Sequence, residues 1–251
     1  MKKVNSDVAY DFIREKILSG KYPPGHALMT EVLSSEIGVS RTPVREALHR
    51  LKADGLVSIR AHLGASVKKM GIKEFREMCD LRLALEGHAT GLAALNHNQT
   101  DLRRIKFALE SMRSLTDRII ASNSEDELLE DLVKEDVHFH IAIMTAAKND
   151  LMKSEILRLH LVNRVVFGPN TTTVKRLPAW SKKESDQNRR KVMASHDEIY
   201  AAIAKHDAPA AKATMERHIQ DIIDKSLLAM SMTADGSLSR VLTEEEMVYS
   251  G

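Results

Sequence analysis

Residues 30–51, TEVLSSEIGVSRTPVREALHRL, decide the fold of the N-terminal part of the chain. Gly38 separates two short runs whose apolar residues have helical spacing. Thr30 is a candidate N-cap of the first run, and Ser40, Thr42 and Pro43 supply the start signal of the second. A proline is tolerated in a first turn because its missing N–H would have no partner there. The stretch therefore predicts a helix, a tight turn and a second helix.

The second helix has two unlike faces. One face carries apolar residues at i, i+4 and i+7, namely Val44, Leu48 and Leu51. The opposite face begins with Arg41, Thr42 and Arg45. At the start of a recognition helix an arginine can bond guanine O6 and N7 together in the major groove. The alternative is a merely solvated face on which Glu46 and Arg50 form an i, i+4 ion pair.

The flanking segments extend this pattern to a winged helix-turn-helix domain over residues 1–67. A helix is predicted over 6–19, before the turn YPPG. After Gly55, the runs LVSIR and ASVKK surround AHLG and predict a β-hairpin. Its tip, from His62 to Gly64, is the candidate wing that reaches a flanking minor groove or the DNA backbone.

The remainder of the chain predicts an all-α antiparallel bundle over residues 74–230, after a linker at 68–73. Residues 231–251 have no apolar period and are expected to form a polar tail. The fold class is therefore mainly α. The predicted bundle helices span 73–95, 100–121, 125–147, 150–166, 185–206 and 209–230.

Composition and charge exclude several classes of protein. Of 251 residues, 43% are hydrophobic and 29% are charged, as in a folded chain rather than a disordered one. Cys79 is the single cysteine, and no signal peptide or membrane-spanning run is visible, so a cytoplasmic protein without a membrane partner is expected. Residues 1–70 carry a net charge of +5 and the rest −3, which favours an anionic partner at the N-terminal end.

Acidic and imidazole side chains in the bundle have metal-ligand spacing. Asp136 and His140 lie at i, i+4 on one helix face, whereas His138 points elsewhere. His196 and His218 flank the last inter-helix turn at similar distances, so they can reach the same level. Such mixed nitrogen and oxygen ligation suits a divalent Zn, Ni, Mn or Fe ion. With 11 histidines in the chain, a chance coincidence is the alternative.

The run from residue 20 to 67, GKYPPGHALMTEVLSSEIGVSRTPVREALHRLKADGLVSIRAHLGASV, resembles the winged-helix domain of the GntR superfamily. The resemblance implies a DNA-binding transcription regulator with contacts from Arg41, Thr42, Arg45 and the wing tip at His62 and Gly64. Glu31 departs from the pattern, because some family members carry a basic DNA-contacting residue there.

The bundle is similar to the FCD effector domain attached to one GntR subfamily. The resemblance is carried by DLRLALEG, by Asp136 and His140 followed by Asn149, and by the histidines in SHDEIYAAI and MERHI. It implies that Asp136, His140, His196 and His218 bind a divalent metal. His206 departs from the pattern, where a glycine is common before the last turn.

Two further polar groups are candidate effector-binding residues. Arg82 and Glu86 share the inward stripe of the first bundle helix, where an unpartnered charge is costly. Either Arg82 holds the carboxylate of an effector beside the metal, or the two residues form a structural ion pair. His160, Asn163 and Arg164 form a second cluster that lines the pocket or lies at the surface.

These observations predict a ligand-responsive regulator that binds a pseudo-palindromic operator as a homodimer. A small organic acid bound near the metal is the expected signal. The rivals are a regulator that senses the metal ion itself and a helical metalloenzyme. No general base or other catalytic group accompanies the metal-ligand candidates, so we predict that the chain is not an enzyme.

Overall fold

The computed structural model of the chain describes residues 5–61, 63–122, 126–167 and 181–234. Over these residues the chain is mainly helical, with one two-stranded antiparallel sheet, which confirms the predicted fold class. The elements in chain order are α1 (Asn5–Leu18), α2 (Thr30–Ile37), α3 (Arg41–Ala53), β1 (Val57–Arg60), β2 (Gly64–Val67), α4 (Ile72–Asn96), α5 (Gln99–Ala121), α6 (Asp126–Ala146), α7 (Asp150–Phe167), α8 (Lys182–Ala204) and α9 (Ala208–Ala234).

The first three helices and the hairpin enclose one hydrophobic core. Its fully buried members include Ile13 of α1, Leu51 of α3 and Leu56. Gly38 ends α2 at φ 77°, a left-handed conformation that glycine adopts without steric cost. Thr30 is the first residue of α2 and not its cap, because Met29 holds the extended N-cap position.

The hairpin closes the side of this core. Strand β1 pairs with β2 in the register from Val57 opposite Val67 to Arg60 opposite Gly64. Alternation places Val57 and Val67 in the core and leaves the residues near the tip more exposed. The tip therefore projects from the domain on a short, regular ribbon.

Helices α4–α9 form the predicted bundle around a second core. Helix α4 packs along α9, and α5 packs along α6. Helix α4 begins at Ile72, within the predicted linker, and α9 continues to Ala234, within the predicted tail; residues 235–251 lie outside the described residues. No helix in the described part of the chain is long and apolar enough to cross a membrane.

Candidate DNA-reading face and candidate metal centre

The first turn of α3 presents three polar side chains to solvent. Arg41, Thr42 and Arg45 are exposed, whereas Val44 and Leu48 on the other side are 0% and 3% exposed. The apolar stripe therefore anchors α3 on the domain and directs the polar face outward. We call Arg41, Thr42 and Arg45 the reading face, because this part of a helix-turn-helix is the part that can enter a major groove.

Two arginines of α3 have partners outside their own helix. Arg41 Nη1 lies 3.3 Å from Glu31 Oε1 on α2. Arg50 donates to Asp7 Oδ1 over 2.6 Å, and its guanidinium lies 4.3 Å from the ring centroid of Tyr10. Arg50 therefore braces α3 against α1, which differs from the ion pair with Glu46 considered above.

The wing tip is built by a glycine in a left-handed conformation. Gly64 has φ +80°, which a residue with a Cβ rarely adopts. Leu63 precedes it and is 78% exposed. His62, the other predicted wing contact, lies outside the described residues.

The four predicted metal ligands come together from three helices. Asp136 and His140 lie on α6, His196 on α8 and His218 on α9. Asp136 Oδ1 is 3.1 Å from His196 Nε2, and the ring centroids of His196 and His218 are 4.4 Å apart. One possible metal-ligand nitrogen from each of His140, His196 and His218 lies within 4.8 Å of the other two. His138 is 62% exposed in its side chain and lies apart from them, as predicted.

Contacts of Nδ1 orient the three converging imidazoles, of which His196 and His218 make hydrogen bonds. His196 Nδ1 lies 2.9 Å from the Val192 carbonyl oxygen. A carbonyl can only accept, so this nitrogen carries the proton and Nε2 carries the lone pair. His140 Nδ1 lies 3.2 Å from Glu86 Oε2, which equally favours a proton on Nδ1. His218 Nδ1 lies 2.9 Å from a serine hydroxyl on α8.

The arrangement fits a cation. His196 Nε2 and His218 Nε2 are buried without a hydrogen-bond partner in the described part of the protein. In the neutral ring with its proton on Nδ1, His196 directs its Nε2 lone pair at the Asp136 carboxylate, and these two acceptors repel each other unless a second proton or a cation lies between them. A divalent ion between them removes the conflict. Imidazole nitrogens with one carboxylate oxygen are ligands that Zn, Ni, Mn and Fe accept.

The electrostatics of Asp136 and His218 favour the protonation states that a metal requires, whereas those of His140 oppose them. Burial raises the pKa of Asp136, but the hydrogen bond to a protonated His196 and the charges of the nearby imidazoles outweigh burial. The net pKa of Asp136 therefore lies below its usual value. Burial, together with His196 and His140, holds the pKa of His218 well below its usual value. Burial lowers the pKa of His140, but the nearby Glu86 and Asp136 carboxylates together outweigh burial and the net pKa is raised.

Glu86 is the centre of a second buried group, the Glu86 cluster of Arg82, Glu86, His140 and His160. Arg82 Nε donates to Glu86 Oε1 over 2.8 Å, and the two side chains are 6% and 0% exposed. His160 Nε2 lies 3.2 Å from the same oxygen. Burial raises the pKa of Glu86, but Arg82 and His160 outweigh it, and the carboxyl pKa falls well below its usual range. The buried ion pair, one of the two interpretations given above, is therefore formed.

Sequence reasoning missed two partners in this region. The sequence singles out His160 but not its contact with Glu86, because that contact joins α7 to α4 and residue spacing within one helix does not predict it. Ser195, which bonds His218, was not considered, although it precedes a candidate ligand in the chain. The side chains of Asn163 and Arg164, predicted to line an effector site, lie outside the described residues, although their backbone is part of α7.

Comparisons with known proteins agree with this architecture. The family model described as "Bacterial regulatory proteins, gntR family" matches residues 5–67, and the model described as "FCD domain" matches residues 77–221. The HTH-type transcriptional regulator LutR of Bacillus subtilis is 30% identical over 226 residues, covering 83% of this chain and 94% of LutR. The Uxu operon transcriptional regulator of Escherichia coli is 26% identical over 234 residues, covering 86% of this chain and 84% of that protein.

A solved structure has the same fold. The chain aligns with E. coli McbR/YncC at a TM-score of 0.67 and 20% identity, over 92% of this chain and 99% of that one.

Proposed function

Because the chain belongs to the GntR family of bacterial regulatory proteins and carries an FCD domain, we propose that this DNA-binding transcription regulator changes its operator affinity when a small carboxylate binds beside a divalent metal in the bundle. The observation that carries the proposal is the convergence of His140, His196 and His218, with Asp136 3.1 Å from His196, in a chain that also presents an exposed reading face. The chain has no catalytic residues in this proposal.

The DNA contacts are assigned to the reading face and the wing. Arg41 and Arg45 read base edges, and Thr42 bonds phosphate at the helix start. His62 and Gly64 at the wing tip contact the flanking minor groove or backbone. Two such domains in a homodimer read a pseudo-palindromic operator, because protein two-fold symmetry is matched by DNA half-sites.

The metal is assigned to Asp136, His140, His196 and His218. Zn, Ni, Mn and Fe are all compatible with this donor set. When bound, the ion would supply positive charge and a Lewis acid toward an oxygen ligand. Burial keeps the pKa of His218 low, which favours its neutral ring, and the bundle excludes water from the buried rings of His140, His196 and His218.

The effector site is assigned to the region between the metal and Arg82. Arg82 is the cationic partner proposed for the acid, with Glu86, Asn163 and Arg164 as further lining residues. Arg82 is 5% exposed and already bonds Glu86, so an incoming carboxylate competes with Glu86 for the guanidinium. This competition gives ligand binding a direct effect on bundle packing.

The proposed division of the chain is a DNA-binding domain at 1–67, a linker at 68–73, an effector domain at 74–230 and a tail at 231–251. One contact between the two domains supports their coupling. Gly55, two residues after α3, lies so close to Val162 of α7 that a Cβ at this position would be 2.9 Å from Val162 Cγ2. Helix α7 also carries His160, so a shift of α7 in the effector domain reaches the DNA-binding domain.

Operator binding with the metal and the acid varied independently tests the proposal. Gel shifts or fluorescence anisotropy are measured with Zn²⁺ varied at a fixed acid concentration, and then with a panel of short mono-, di- and tricarboxylic acids at fixed Zn²⁺. A change of about 5- to 150-fold in operator affinity with one acid supports it. A response to Zn²⁺ alone identifies a metal sensor, and turnover of an acid identifies an enzyme.

A further inference from the structure

We propose that Ser195 is a positioning residue that places the proton of His218 on Nδ1 and so presents Nε2 to the metal. The inference rests on the proposed metal site and adds to it a residue outside the four ligands. It is drawn from two hydrogen bonds on α8, the identity of the donor in each, and the burial of His218.

The hydrogen bonds leave one tautomer. Ser195 Oγ lies 2.6 Å from the Val192 carbonyl oxygen and 2.9 Å from His218 Nδ1. The carbonyl can only accept, so the single hydroxyl proton of Ser195 is donated to Val192. The hydroxyl oxygen then faces His218 as an acceptor. The proton between Ser195 and His218 must therefore come from Nδ1, which leaves the lone pair on Nε2.

One backbone carbonyl thus orients two ligands. The Val192 oxygen accepts directly from His196 Nδ1 at 2.9 Å, and it accepts from Ser195, which in turn accepts from His218. Val192, Ser195 and His196 lie at i, i+3 and i+4 of α8, so all three are on one side of the helix. The tautomers of ligands on α8 and α9 are coupled through this carbonyl.

Burial makes Ser195 the determinant of this tautomer. His218 is 4% exposed, and its Nε2 is buried without a hydrogen-bond partner among the described residues. Loss of the hydroxyl removes the acceptor that holds the proton on Nδ1. The ring can then carry its proton on Nε2, in which form that nitrogen cannot bind a cation. Loss of an outer-shell partner typically weakens metal binding about 10- to 100-fold.

Zn²⁺ affinity is the first measurement. The Kd is determined by competition with a chromophoric chelator for the full-length wild type, Ser195→Ala, Ser195→Thr and Ser154→Ala. Ser154 is the matched control, because its hydroxyl also donates to a carbonyl three residues back but it lies exposed on α7. We expect about 10- to 100-fold weaker binding for Ser195→Ala, recovery in Ser195→Thr, which keeps the hydroxyl, and no change in Ser154→Ala.

The second measurement is the imidazole 15N chemical shifts of the metal-free protein. The result for the wild type tests the proposal even if Ser195→Ala does not fold. We expect His218 to carry its proton on Nδ1 in the wild type and Ser195→Ala to gain the Nε2-protonated form. A wild-type His218 protonated mainly on Nε2, or equal Zn²⁺ affinity for Ser195→Ala and wild type, overturns the role of Ser195. If the wild type binds no Zn²⁺ but shows the Nδ1 tautomer, the proposed metal site fails while the positioning of His218 by Ser195 holds.

Discussion

Replacement of Arg82 by methionine tests how the bundle tolerates its buried charges. The carboxylate of Glu86 is 0% exposed and receives Arg82 and His160 on one oxygen and His140 on the other. Arg82→Met removes the charged donor that lies 2.8 Å from Glu86, and the Glu86 carboxylate is left with two imidazoles as neighbours. The carboxylate cannot reach water without local unfolding, so its charge must be balanced inside the bundle.

The cost follows from this burial. Removing one partner of a buried ion pair costs about 3–5 kcal/mol. In a chain of this size that corresponds to a fall of about 6–20 °C in the midpoint of thermal unfolding. The cost should be smaller at pH 6 than at pH 8, because protonation of His140 or His160 at the lower pH supplies a replacement charge. Glu86→Gln leaves Arg82 without its partner and should cost a similar amount.

The double variant Arg82→Met/Glu86→Gln completes the cycle. With both charges removed no uncompensated charge is buried, so the double variant should lose much less stability than the sum of the two single variants. Thermal unfolding of the metal-free wild type, the two single variants and the double variant is followed by circular dichroism at pH 6 and pH 8. Additive losses would show that the two residues do not stabilise the bundle as a pair. We would then abandon the argument from the buried ion pair.

Three further predictions concern the reading face, the metal and pH. Arg45→Ala should cost about 1–3 kcal/mol on a specific operator and relax sequence preference, and unchanged specific affinity in gel shifts would contradict its base contact. His196→Ala should lose bound metal in elemental analysis while His138→Ala retains it; equal occupancy in both would refute the shared site. The pKa values of His218 and His160 are lowered by burial, so below about pH 6.5 the unfolded chain takes up protons that the folded chain does not. The metal-free protein should therefore melt at a lower temperature at pH 5.5 than at pH 7.5, although one ligand histidine with a raised pKa opposes this; a constant midpoint would contradict it.

The fold could be predicted where local patterns determine it. The two faces of α3 follow from apolar spacing alone, and burial of Val44 and Leu48 agrees with that spacing. The bundle helices begin and end within about four residues of the predicted bounds. Asn98 caps α5, and Ser181 caps α8, which begins three residues before the predicted start at 185. The tail boundary was less accurate, since residues 231–234 continue α9 without an apolar pattern.

The rest depends on tertiary contacts that no spacing records. Arg50 bonds Asp7 of α1 in place of a partner on its own helix, because α1 packs against α3. In the same way, the position of Glu86 between α6 and α7 makes it a partner of His160. Helical spacing predicts which residues share a face of one helix. It does not predict which faces meet, so the set of four candidate metal ligands follows from a family resemblance, which says nothing of the residues that support them.

The charges of the site relate the proposed metal to the proposed acid. With neutral imidazoles, Arg82, Glu86 and Asp136 leave the region with a formal charge of −1, since both carboxyl pKa values are lowered and Arg82 stays protonated. An organic acid is repelled by that charge, and repulsion is strong where water is excluded. A divalent ion changes the formal charge to +1 on the same residues. In this proposal, metal binding would therefore determine whether the bundle attracts an acid.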